Sequence, residues 1–176
     1  MRSFAILITA GALLAQSPKY GVGHTPSPDE VRQFGISIGP DGNGLPDGSG
    51  TAAAAKETYA NRCAKCHGAN GEGRDSVALA GGQGTLKSPK PLKTVGSFWP
   101  YATTLWDYIH RAMPFDRPAT LTNEQVYSLT AYVLFLNGIV SENAVIDARA
   151  LPKIEMPNRH GFVPDPRPDV EVKRRK

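Results

Sequence analysis

"NRCAKCHGANGEG", residues 61–73, holds both cysteines of the 176-residue chain and one of its four histidines. Cys63, Cys66 and His67 fall within five consecutive residues. Three kinds of site have such a composition: a redox-active dithiol, part of a zinc site, or an attachment point for haem. The residues around the cluster decide among the three.

The spacing Cys-x-x-Cys-His is the attachment pattern of a c-type haem. The two thiols add across the two vinyl groups on one edge of the porphyrin, and the two intervening residues form a turn that spans those groups. The residue after the second cysteine, His67, then lies beneath the iron and binds it through an imidazole nitrogen. Cys63, Cys66 and His67 are therefore the predicted binding residues for one covalent haem c.

The alternatives fit the surrounding sequence less well. A thioredoxin-type dithiol follows a strand and precedes a helix, whereas an alanine-rich segment precedes this cluster and Gly68, Gly71 and Gly73 follow it. A structural zinc site needs four ligands, and the cluster supplies three at most. A simple disulfide stays open as an alternative in an exported protein.

Three helices are predicted around the haem, and strand-like alternation is scarce, so the fold class is all-α. The alanine-rich segment 51–63 has high helix propensity and brings the chain to the cluster. A second helix over 103–112 ends at Met113-Pro114, because proline disfavours helix in the residue before it. A capping box at Thr122–Gln125 begins the third helix, which Asn137-Gly138 ends.

Met113 is the predicted second ligand of the iron. It stands at the end of a predicted helix, from which its sulfur can reach the other face of the haem, and Pro114 stiffens the loop. A neutral thioether favours ferrous iron and so raises the reduction potential. Met156 also precedes a proline but has no predicted helix behind it, and His110 is expected on the surface of the second helix. The predicted metal ligands are therefore His67 and Met113.

Aromatic residues are expected to pack near the haem. Tyr59 and Tyr132 are expected to provide aromatic contacts at the crossing where the third helix covers the haem edge, with ordinary core packing as the alternative. Phe98, Trp99, Tyr101 and Trp106 precede Met113 and are expected to wall the pocket, where they would exclude water and tune the potential.

The N-terminal region predicts export. Arg2 precedes the twelve-residue apolar run FAILITAGALLA, residues 4–15, which is too short to span a bilayer comfortably but suits a cleaved signal peptide over residues 1–15. An uncleaved membrane anchor is the alternative. No other segment is apolar enough to cross a membrane, so the mature chain is expected to be periplasmic and to lack a membrane span.

The positive charge of the chain comes from its C-terminal end. The formal charge is +4, and without Arg2 and the four basic residues 173–176 it is −1. A basic stripe of the kind that binds nucleic acid is absent from the rest of the sequence. Nucleic acid is therefore not an expected partner.

The haem domain is predicted over residues 51–138, between two arms rich in proline and glycine. The lead covers residues 16–50, and its Ser27-Pro28-Asp29-Glu30 is a capping box that predicts a short helix from Pro28 to about Phe34. Residues 139–176 are predicted as an extended tail. Both arms are expected to be too long and too rich in proline to form a core.

The sequence resembles class I cytochromes c over residues 51–138. The likeness is carried by YANRCAKCHGANGEG, RAMPF and LTNEQVYSLTAYVLFLNG. It implies the small all-α class I cytochrome c fold, with Cys63 and Cys66 as thioether anchors and His67 and Met113 as axial ligands. The family often has a glycine where the terminal helices cross; Ala55 stands at that position here.

A narrower resemblance extends into both arms. YGVGHTPSPDEVRQFGISIGPDGNGLPDGSGT, KTVGSFWPYATTLWDYIHRAMPF and MPNRHGFVPDPRPD are similar to cytochrome subunits of sulfite or sulfane dehydrogenases, of the SoxD type. The resemblance implies a one-haem subunit that accepts electrons from a molybdopterin-containing catalytic subunit and passes them to a downstream cytochrome or oxidase. It also implies arms that wrap the haem domain or grip the catalytic subunit.

Three functions follow from these observations. An electron-transfer subunit that is not itself an enzyme needs closed ligation by His67 and Met113. A haem enzyme that acts on a sulfur compound or peroxide would need Met113 to be labile. An assembly subunit would use its long arms, with the haem incidental to its function.

Overall fold

A computed structural model of the chain describes residues 20–35, 37–165 and 167. This part of the chain forms six α-helices, two short 3-10 turns and one two-stranded sheet. The helices are α1 (Pro28–Phe34), α2 (Ala52–Arg62), α3 (Ala64–His67), α4 (Val95–Phe98), α5 (Ala102–Ala112) and α6 (Asn123–Leu136); the strands are β1 (Ser49–Gly50) and β2 (Ile146–Asp147).

Side-chain caps explain where the predicted helices begin. The Thr51 hydroxyl accepts a hydrogen bond from the Ala54 amide at the start of α2, and Thr122 forms a complete capping box with Gln125 at the start of α6. The predicted helices at 28–34, 51–63 and 122–137 are confirmed, and α5 begins one residue earlier than predicted. Gly138, with φ of 68°, ends α6 in the left-handed region that glycine tolerates.

The core lies where α2 and α5 pack against α6. Tyr59 of α2 and Trp106 of α5 are fully buried against this helix, and the rings of Tyr59 and Tyr132 lie 4.7 Å apart. The two tyrosines lie where α2 and α6 pack together, as predicted, and their contact with a haem stays a prediction. Ala55 is buried as well. The three long helices therefore enclose one apolar centre, as the sequence predicted.

Both arms contribute to the core, and the expectation that they would not is wrong. Ile38 of the lead is buried, and so are Ile146, Leu151 and Met156 of the tail. Strands β1 and β2 pair antiparallel, with Ser49 opposite Asp147 and Gly50 opposite Ile146, and this pairing joins the two arms. Isolated apolar residues between prolines have no period that a sequence could reveal, so their burial depends on tertiary contacts.

Glycine is required where β1 crosses α6. A Cβ added to Gly50 would overlap the side chain and the backbone amide of Ser128. The Tyr127 hydroxyl donates a hydrogen bond of 2.8 Å to the Pro46 carbonyl in the same region. The lead is thereby held against α6, on the helix that also packs against α2.

The predicted signal peptide and the basic C-terminal end lie outside the described residues. Among the residues that the structure does describe, none of the helices is both long and apolar enough to span a bilayer.

Candidate haem-attachment site

The two cysteines and His67 share one helical turn. Cys63 ends α2 and precedes α3, and its carbonyl accepts hydrogen bonds from the amides of Cys66 and His67, at 3.1 and 3.0 Å. Residues three and four positions apart on a helix lie on the same face, so the turn groups all three side chains. Both thiols are free; Cys63 is half-buried and Cys66 is exposed.

A backbone carbonyl orients the imidazole of His67. Its Nδ1 lies 2.9 Å from the carbonyl oxygen of Val77, which can only accept, so the proton is assigned to Nδ1. Nε2 keeps its lone pair and can bind a metal. The Ser76 amide donates to the Cys66 carbonyl at 2.9 Å and fixes the loop that carries Val77. No side-chain signal marks such an acceptor, so sequence reasoning missed Val77.

Tyr59 supports the attachment turn from the core side. Its hydroxyl donates a 3.0 Å hydrogen bond to the carbonyl of Gly68, the residue after His67. Burial raises the pKa of this phenol well above its ordinary value, so it stays protonated and able to donate. Gly68 itself has φ of 83°, which only glycine adopts readily.

Asn137 holds the far side of the same loop, which the sequence analysis treated only as a helix end. Its Nδ2 donates to the carbonyls of Val133 and Leu79, at 2.9 and 3.1 Å, and its Oδ1 accepts from the Gly81 amide at 3.1 Å. A Cβ on Gly96 would overlap this side chain. The end of α6 therefore fixes the segment that follows Val77.

Met113 lies at the C-terminus of α5, where its amide donates to the Ile109 carbonyl at 3.1 Å. It is partly buried against the core. The chain beyond it returns to the attachment turn, because the guanidinium of Arg62, the residue before Cys63, donates to the Thr120 hydroxyl at 2.9 Å. The structure thus ties the loop after Met113 to the end of α2 that carries the cysteines.

Met156 occupies a different environment. Met156 belongs to the tail, and its side chain is fully buried in the core. The buried thioether therefore serves packing, whereas Met113 stands at the border of the core.

Histidine 110 does not lie free on the helix surface as expected. Its ring stacks on Trp106, one helical turn earlier, with centroids 4.9 Å apart and planes inclined by 11°. Burial lowers the pKa of the His110 imidazole, and the charge of Arg111 lowers it further, whereas the Asp107 carboxylate raises it by less than burial lowers it. The ring is a packing partner of the tryptophan.

The aromatics before Met113 have partners within the protein. Trp106 lies against Tyr127 of α6, with centroids 5.4 Å apart. Phe98 meets Phe162 edge-on at 5.2 Å, and the guanidinium of Arg159 covers Tyr101 at 4.4 Å. Phe98 and Tyr101 thus anchor the C-terminal arm.

The donor set fits a covalently attached haem. It offers two free thiols in Cys-x-x-Cys spacing, an imidazole with a free Nε2, and a thioether on the loop tied to the same end of α2. Val77 and Phe115, beside the two candidate ligands, are large apolar residues left exposed, which an apolar macrocycle would cover. Within the described ranges, no group of three or more His, Cys, Asp or Glu side chains is placed to hold a metal ion.

Known proteins resemble this chain over the attachment turn and beyond it. The family model described as cytochrome c matches residues 52–137. A chain in the crystal structure of the sulfane dehydrogenase SoxCD from Paracoccus pantotrophus is 42% identical, with a TM-score of 0.77 over 88% of this chain and 76% of that chain. A search among curated proteins gave no match. The chain belongs to the cytochrome c family, whose members bind haem covalently and transfer electrons.

Proposed function

We propose that this chain is the single-haem electron-transfer subunit of a sulfite or sulfane dehydrogenase. It accepts electrons from a molybdopterin-containing catalytic subunit in the periplasm and passes them to a downstream cytochrome or oxidase. One observation carries the proposal: the 42% identity to a chain of the sulfane dehydrogenase structure extends over 88% of this chain. The similarity therefore reaches well beyond the 52–137 segment common to cytochromes c in general.

Four residues hold the haem in this proposal. Cys63 and Cys66 would form the thioether bonds, and Nε2 of His67 and the sulfur of Met113 would bind the iron. The bound haem supplies a one-electron ferric–ferrous couple. Because the sequence contains only two cysteines, it has a single attachment pattern and binds one haem.

The protein's own groups keep the two axial ligands in place. The Val77 carbonyl holds the His67 ring in one tautomer and one orientation. The link from Arg62 to Thr120 holds the loop after Met113 near the attachment turn. Two protein ligands leave no open position for a substrate, so oxidation of the sulfur compound takes place on the partner subunit.

The stoichiometry of sulfite oxidation sets the number of electrons that this chain must accept in each catalytic event. Sulfite and water give sulfate, two protons and two electrons. A one-haem chain takes these electrons singly, so each catalytic event requires two successive reductions of this subunit, with reoxidation by the acceptor between them.

The experiment uses the chain matured with haem and purified with its candidate catalytic subunit. The haem content is expected to be one per chain, and anaerobic addition of sulfite or of a sulfane substrate, in separate arms, is expected to reduce the haem. Dithionite serves as the control that the haem is reducible. The proposal is contradicted if dithionite reduces the haem of the complex but neither sulfite nor the sulfane substrate does.

The rate of carbon monoxide binding distinguishes an electron-transfer protein from the alternative, a haem enzyme. The proposed closed ligation predicts slow and incomplete binding of carbon monoxide to the ferrous chain. Rapid stoichiometric binding at neutral pH would mean that Met113 is labile and would favour catalysis at the haem.

A further inference from the structure

The methionine loop, residues 114–121, connects α5 to α6 and directly follows Met113. Its two ends, Pro114 and Leu121, are buried, whereas most of the residues between them are exposed. Packing therefore fixes the ends of this loop, and its middle depends on hydrogen bonds for its position.

Three hydrogen bonds join the methionine loop to the end of α2. The Arg62 guanidinium donates to the Thr120 hydroxyl at 2.9 Å, and that hydroxyl donates to the Arg117 carbonyl at 2.8 Å. The Arg117 amide donates in turn to the Pro114 carbonyl at 2.9 Å. These bonds, named the Arg62 bridge, lead from the residue before the first cysteine to the residue after the candidate thioether ligand.

Arg62 is a firm starting point for the bridge. It is the last residue of α2, and the amide of the next residue, Cys63, donates to the Tyr59 carbonyl at 2.9 Å. The Arg62 side chain is half-buried, and its guanidinium stays charged. Hydrogen bonds from a charged donor are roughly twice as strong as those between neutral groups. The bridge is therefore anchored on the helix that carries the attachment turn.

The backbone beside Thr120 is held in an unusual conformation. Ala119 has φ of 57°, in the left-handed region that residues other than glycine rarely adopt. Such a conformation persists only where the surrounding contacts fix it. The bond from Arg62 to Thr120, the next residue, is one of these contacts. Without that bond, the middle of the methionine loop is expected to relax.

We infer that Arg62 is a positioning residue for the methionine ligand. Through the bridge, it holds the methionine loop closed and slows the departure of the Met113 sulfur from the iron. This inference rests on the proposed function, in which Met113 is an axial ligand. It adds that the end of α2, which carries the cysteines, controls how long the thioether stays bound.

The test measures how fast carbon monoxide binds to the ferrous, haem-loaded full chain, because carbon monoxide needs the position that the Met113 sulfur occupies. Arg62→Leu keeps an apolar side chain that favours helix, and Thr120→Val keeps the shape of the threonine without its hydroxyl. Each is expected to raise the rate about fivefold, because each removes one charge-assisted hydrogen bond. Thr120→Ser keeps the hydroxyl and is expected to stay within about twofold of the unmodified chain.

Two further variants separate the bridge from general effects. Arg74→Leu removes the same charge from an exposed arginine beyond the attachment turn and should leave the rate within about twofold. The double variant Arg62→Leu with Thr120→Val should bind no faster than either single variant, because both substitutions remove the same bond. The ferric variants are expected to keep the absorption of the iron–thioether bond, because the bridge alters the lifetime of the ligand and not its identity.

The outcomes distinguish this inference from the proposed function. Equally slow binding by the unmodified chain, Arg62→Leu and Thr120→Val overturns the Arg62 bridge alone. An Arg74→Leu rate as high as that of Arg62→Leu, or additive effects in the double variant, also overturns the bridge. Rapid stoichiometric binding by the unmodified chain contradicts closed ligation, and with it both the bridge and the electron-transfer function proposed above.

Discussion

Nδ1 of His67 lies 2.9 Å from the carbonyl oxygen of Val77, ten residues further along the chain. The bond assigns the proton to Nδ1 and the lone pair to Nε2, which is the nitrogen available to iron. The loop of Val77 is fixed in turn by the bond from the Ser76 amide to the Cys66 carbonyl, so the orientation of the imidazole depends on backbone groups.

The tautomer of His67 is directly measurable. In the ferrous, haem-loaded protein we expect heteronuclear NMR to show a proton on Nδ1 of His67 that exchanges slowly with water, because it is bonded to a carbonyl. The exposed histidines His24 and His160 serve as internal references with rapid exchange. An unprotonated Nδ1, or exchange as fast as that of the references, would be inconsistent with the Val77 bond.

Removal of the Asn137 side chain is expected to destabilise the fold. Asn137→Ala loses two donated bonds and two accepted bonds, from the Gly81 amide and the Gln83 side chain, of a half-buried side chain, which together correspond to about 2 kcal/mol or more of unfolding free energy. Chemical denaturation of the haem-loaded protein measures the loss. Asn143→Ala, at an exposed asparagine, is the control and should change the stability little; equal effects of the two substitutions would argue against this role.

The stack of His110 on Trp106 predicts a pH dependence. Burial lowers the pKa of His110 in the folded state below its ordinary value of 6.5, so folding favours the neutral ring. The neutral His110 ring therefore contributes fully to the stability of the folded protein above about pH 6.5. This contribution is lost as the pH falls through the lower pKa that His110 has in the folded state.

Phenylalanine tests this dependence because it keeps the stacking but cannot titrate. The melting temperature of the unmodified protein should fall more steeply than that of His110→Phe between about pH 7 and pH 5. Parallel curves for the two proteins would show that His110 does not titrate differently in the folded state.

The sequence predicted the parts of the fold that local rules control. Thr51 and Thr122 mark helix starts because hydroxyl caps act within three residues, and the Cys-x-x-Cys-His spacing reports its chemistry directly. Burial of Leu151 and Met156 was missed, because it arises from pairing between distant arms. The sequence analysis also missed the hydrogen bond of Val77, because the acceptor is a backbone carbonyl that every residue carries. It missed the packing of His110 because this depends on the position of the Trp106 ring.

The central claim is a covalent haem with His67 on one face of the iron and Met113 on the other, and substitution of the two methionines tests it most directly. In the ferric protein, Met113→Leu should lose the charge-transfer absorption of the iron–thioether bond and should have a lower reduction potential, because leucine has no sulfur atom that could bind the iron. Met156→Leu, a conservative change in the core, should keep both and alter only stability. Retention of the absorption in Met113→Leu, or its loss in Met156→Leu, would contradict the account.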